Sequence, residues 1–131
     1  MTSKVPIVDA HLDMAGNVLA GRDYDLTAAE LRAIENRTDH QVMVTLRELE
    51  RGGVAVTLGT LFVGTATFDD DGVGIYKSDP RTSALKQLEV YRGWVSDGKV
   101  RLILSRADLA DHLAKWESDG KVGLIILIEG G

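Results

Sequence analysis

The first apolar run is Val5-Pro6-Ile7-Val8, β-branched and leading into Asp9-Ala10-His11. It predicts a strand, with Pro6 confined to an edge or to the first residues because proline donates no ladder hydrogen bond. Gly16, Asn17 and Gly21, followed by the polar cluster to Asp25, predict a loop. Thr27 with Glu30 three positions on is a capping box, so a short helix is expected over residues 28–34. Val42, Leu46 and Leu49 share one helical face, which predicts a second helix stopped by Gly52-Gly53. Residues 54–63 are almost continuously apolar and rich in Val, Leu and Thr, as in a strand covered on both faces.

Residues 64–80 carry no period, and the Asp69-Asp70-Asp71-Gly72 run lies inside them, so a long loop is expected. A helix follows over residues 81–95, with Ala84, Leu88, Tyr91 and Val95 on one stripe, and residues 100–104 are strand-like. Ser105 caps a helix that carries Leu109, Leu113 and Trp116 and ends at Asp119-Gly120. Residues 122–128 are seven apolar positions in a row, running into Glu129-Gly130-Gly131. Strands apolar on both faces, alternating with helices, predict right-handed βαβ units and a parallel sheet. No repeat or linker divides residues 1–131, so one α/β domain is expected. A parallel strand at 122–128 calls for a covering helix after it, and the open apolar edges predict an incomplete domain.

Composition narrows the class further. The chain has 131 residues, 44% of them hydrophobic and 27% charged, which excludes a disordered or fibrous protein. Fifteen Lys+Arg against 20 Asp+Glu give a net charge of −5, with the signs interspersed, so neither nucleic acid nor an anionic membrane is an expected partner. The absence of cysteine removes disulfides, thiolate zinc sites and thiol nucleophiles. No secretory signal pattern and no run long enough to span a bilayer are present, so a soluble, cytoplasmic protein is expected.

His11 and Asp13 stand at i and i+2, so both side chains leave a strand in one direction, a pairing that suits Zn2+ or a similar divalent ion. The same two residues could equally serve a turn, with Asp13 capping the loop and His11 bonding a backbone carbonyl. Glu129 emerges from a fully apolar strand, where an unpaired carboxylate would be costly without a metal or arginine partner; it could also be the first solvated residue past the strand. His112, between Asp111 and Lys115 on a charged helix, is expected in solvent, and His40 in a loop or cap. The Asp69–Gly72 run lacks the spacing and closing glutamate of a calcium loop, and neither a nucleotide-binding glycine pattern nor a serine-hydrolase elbow is present.

Taken in order, Ile7-Val8-Asp9-Ala10-His11-Leu12-Asp13, Leu46-Arg47-Glu48-Leu49-Glu50-Arg51-Gly52-Gly53-Val54 and Leu127-Ile128-Glu129-Gly130-Gly131 resemble the membrane (renal) dipeptidase family of zinc metallopeptidases, within the amidohydrolase superfamily. The resemblance implies the N-terminal portion of a (β/α)8 TIM-type barrel, about three barrel strands, with metals at the strands' C-terminal ends. It further implies that His11 and Asp13 bind one zinc and that Glu129 bridges two. Dipeptide hydrolysis by a zinc-activated hydroxide would follow. The second metal's histidines and the acid/base carboxylate would then belong to the missing C-terminal part of the barrel, in the same or a separate chain. On that reading these 131 residues alone are inactive and no catalytic residue beyond the metal ligands lies among them. A homodimer is the family habit. Two alternatives stand beside it: a non-catalytic half-barrel acting as a binding or oligomerisation module, and another amidohydrolase.

Overall fold

A computed structural model describes residues 4–63 and 79–129. Residues 64–78, with the acidic run, lie outside the described residues, as do Gly130 and Gly131. Strand β1 (Ile7–Leu12) leads into helices α1 (Met14–Leu19), α2 (Ala28–Glu35) and α3 (Leu46–Arg51), then β2 (Val54–Phe62). Helix α4 (Pro80–Ser96), the two-residue β3 (Arg101–Leu102), α5 (Arg106–Asp119) and β4 (Gly123–Glu129) complete the order.

Local chemistry sets most of these boundaries. The predicted capping box forms: the Thr27 hydroxyl accepts from the Glu30 amide while the Glu30 carboxylate accepts from the Thr27 amide. The side chains of Thr45, Asp79 and Ser105 accept from the amides of Glu48, Thr82 and Asp108 and so cap α3, α4 and α5, and Pro80 occupies the first turn of α4, where its missing N–H has no cost. Gly120 closes α5 in the left-handed conformation at φ 68°.

Three expectations are revised. The start of the segment read as loop from Gly16 to Asp25 instead belongs to α1 (Met14–Leu19), because Met14 and Ala15 bury completely and that packing outweighs the poor helix propensity of Gly16 and Asn17. Val42 does not belong to a helix. It lies in an extended segment, buried against Ala28 and Leu31 of α2, and α3 begins only after the Thr45 cap. The buried stripe of α4 is Ser83, Gln87, Tyr91 and Trp94, one position off the apolar stripe of the sequence, since Gln87 uses its amide to bond both the N–H and the C=O of Phe62.

The four strands form one parallel sheet in the order β1-β2-β4-β3. Strand β4 therefore lies between β2 and β3, and β3 touches it only at Gly123 and Leu124. From β2 to β3 the chain moves outward across the sheet, and from β3 to β4 it returns. Right-handed crossovers in opposite directions place their helices on opposite faces. The glycines report this directly. A Cβ on Gly59 would strike Tyr91 of α4 and Leu124, whereas one on Gly123 would strike Ile103 and His112 of α5. Gly123 pairs with Val56, three residues from Gly59, so the two glycines face opposite ways.

The main core gathers α1, α3 and α4 on the Gly59 face. Met14, Leu46, Leu49, Tyr91 and Trp94 pack there with Leu61 and Leu124, and Tyr24 stacks on Trp94 at 5.8 Å. A smaller core joins α5 to the other face through Val56, Ile103, Trp116 and Ile125, toward the strands' N-terminal ends. No described helix packs on the upper part of that face, at the strands' C-terminal ends.

Candidate metal centre

At that end the three residues singled out by the sequence converge. His11 leaves β1, Asp13 follows it directly at the N-cap of α1, and Glu129 is the last residue of β4. His11 Nε2 lies 3.5 Å from an Asp13 carboxylate oxygen and 3.1 Å from a Glu129 oxygen, and one ligand atom from each residue falls within 4.8 Å of the others. His11 and Glu129 meet although β2 runs between their strands, since neighbouring strands are only about 4.8 Å apart and both side chains project from one face.

Asp13 makes no side-chain cap on α1, so the capping alternative fails in this structure. Its Oδ1 instead accepts from the Thr60 hydroxyl on β2. Thr60 is itself buried, and the Tyr91 phenol donates to its carbonyl at 2.9 Å. Burial pushes that phenol up to about 12, so Tyr91 stays protonated and keeps donating throughout the neutral range. A relay from α4 through β2 thus ends on Asp13. Asn17 Nδ2 donates to the Asp13 carbonyl at 2.8 Å and ties the first turn of α1 to the same corner.

Glu129 is not the buried strand-end carboxylate that the apolar run before it implied. Its side chain is 38% exposed, and those of His11 and Asp13 are 50% and 59% exposed, so desolvation does not force a partner on any of them. Convergence is what singles them out. The donor set is one imidazole nitrogen and carboxylate oxygens, which zinc accepts. Bonds of about 2.0–2.1 Å in a tetrahedron place neighbouring donors about 3.3 Å apart, close to the His11–Asp13 and His11–Glu129 separations, while the full set of three atoms spans up to 4.8 Å. The donor chemistry of the residues present therefore fits such an ion.

The other histidines separate sharply. His40 is exposed in a loop, as expected, and its carbonyl accepts from Arg22. His112 contradicts its expectation: only 1% of it is exposed. Its Nε2 lies 2.7 Å from the Ala55 carbonyl and its Nδ1 3.4 Å from the Arg101 guanidinium. A carbonyl can only accept and a guanidinium only donate, which assigns the neutral tautomer with the proton on Nε2. It is a structural histidine, far from the His11 cluster along β2.

Two residues of the site escaped the sequence reading. Thr60 sits in a β-branched run, where threonine reads as an ordinary strand former and carries no signal. Asp9 had one: it stands two positions before His11, and its carboxylate accepts from the His11 amide at 3.0 Å. Among the described residues no helix is long and apolar enough to cross a membrane.

The family model described as membrane dipeptidase (peptidase family M19) matches residues 1–131. No curated protein and no solved structure matches the chain significantly.

Proposed function

The chain belongs to the membrane dipeptidase family, and from that premise we propose that it supplies the N-terminal metal ligands of a zinc-dependent dipeptidase. The observation that carries the proposal is the convergence of His11, Asp13 and Glu129 at the C-terminal ends of β1 and β4. His11 offers the Nε2 lone pair. Asp13 offers a carboxylate whose Oδ1 is oriented by Thr60. Glu129 offers two oxygens, enough to serve two ions. Zinc bound there would lower the pKa of water toward neutrality and polarise the scissile carbonyl of a dipeptide.

Strands β1, β2 and β4, adjacent and parallel, would be the first three staves of a (β/α)8 barrel whose interior is the Glu129 face. On this reading β3 and α5 are an excursion between the second and third staves that covers the N-terminal end of that interior. Barrel active sites sit at the opposite, C-terminal end, where the cluster is. The edge of β4 from Ile125 to Glu129 has no strand partner among the described residues and would receive the fourth stave.

Titration of the metal-free protein with Co2+, followed by its visible absorption, tests the ligand set. A stoichiometric tetrahedral spectrum that His11→Ala and Glu129→Gln both abolish is expected. Binding left intact by both substitutions would end the proposal.

A further inference from the structure

We propose that Asp9 is a positioning residue: its carboxylate holds a bulge in β1 that turns His11 onto the face of Glu129. This rests on the metal-ligand reading above and concerns how the strand delivers its imidazole. Asp9 pairs with Thr57 and Leu12 with Gly59, so three steps along β1 match two along β2. Thr57 and Gly59 share a face, and so therefore do Asp9 and Leu12. Glu129 pairs with Phe62, three residues beyond Gly59, and faces the other way.

Strict alternation from Asp9 would put His11, two residues on, on the Asp9 face, with the sheet between it and Glu129. The extra residue reverses the phase, and His11 instead reaches Glu129 at 3.1 Å. A bulge takes an amide out of the ladder, and an unpaired amide favours slipping back to regular pairing. The Asp9 carboxylate accepts from the amide of His11 itself at 3.0 Å, which stabilises the shifted phase at the residue that must be aimed. An acceptor two residues upstream is what this requires. Asparagine could supply it through its amide oxygen, and alanine could not.

Asp9→Ala and Asp9→Asn are compared with the wild type by hydrogen exchange of the His11 amide in metal-free protein and by Co2+ titration. Expected are a His11 amide that loses protection in Asp9→Ala alone, and Co2+ binding about tenfold weaker in Asp9→Ala with Asp9→Asn close to wild type, in the range of outer-shell substitutions at metal sites. An Asp9→Ala protein with unchanged His11 protection and unchanged Co2+ affinity overturns the inference. So does loss of both in Asp9→Asn as well, which would trace the effect to charge. A wild type that binds no Co2+ would refute the ligand assignment, and the exchange of the His11 amide would still decide the role of Asp9.

Discussion

His112→Ala sharply separates the observed fold from a surface reading of α5. The substitution removes a ring that is 1% exposed and packed against Gly123 and Ala55. Truncating a buried side chain of this size costs about 2 kcal/mol at the low end of the large-to-small range, since the site can relax only partly. Loss of the 2.7 Å hydrogen bond to the Ala55 carbonyl adds about 1 kcal/mol. The sum is about 3 kcal/mol. Over 131 residues an unfolding entropy of roughly 2.1 cal/mol/K per residue converts that to a fall in Tm of about 11 °C. Thermal unfolding by circular dichroism, with a urea series at 25 °C, measures it. His112→Gln, which keeps a donor for Ala55, should recover about 1 kcal/mol. A loss within about 0.5 kcal/mol is what a solvated histidine gives, and would refute the placement of α5 on the sheet.

Thr60→Val keeps the branched shape of β2 and deletes the hydroxyl that donates to Asp13, so Co2+ binding should weaken at least about tenfold while the urea midpoint moves little. Equal affinity in the two proteins would show that Thr60 does not orient the carboxylate. On the alkaline side, burial raises the Tyr24 and Tyr91 phenols from 10.0 to about 12 in the folded chain. Their stabilising contribution is fully present below pH 10 and is lost as pH rises from 10 toward 12, on the order of 2–3 kcal/mol for each residue. Urea midpoints should therefore fall between pH 10 and about 12, with a shallower fall in Tyr91→Phe; a flat profile would contradict the buried phenols.

The legible parts of the fold were those written in short-range chemistry. The Thr27–Glu30 box, the Ser105 cap, the Gly120 stop and the apolar runs of β2 and β4 all stand where the sequence put them. What escaped was decided by tertiary contact. Met14 and Ala15 impose a helix on a glycine-containing segment, and Gln87 is buried because it imitates a strand partner of Phe62. His112 is buried because β4 inserts beside β2 and brings α5 across that face, a placement no local window contains. The candidate site divides in the same way. His11, Asp13 and Glu129 carry their chemistry in their own side chains. Thr60 matters only through the partner that β2 brings to it, and Asp9 only through the phase of its strand.

The position of β4 inside the sheet has a consequence for the order of folding. Val56 and Gly123 pair across a long stretch of chain, and among the described strands β3 bonds only to β4. Until residues 123–129 arrive, β3 and α5 have no sheet to join, and only β1 and β2 can pair among the described strands. The long-range pairing of β2 with β4 thus has to be made before the second core can form, and pairing of this parallel, non-local kind is intrinsically slower than contacts made locally. On the ribosome the β1–β2 pair would wait with its apolar edge unpaired, the interval in which a chaperone would find most to hold.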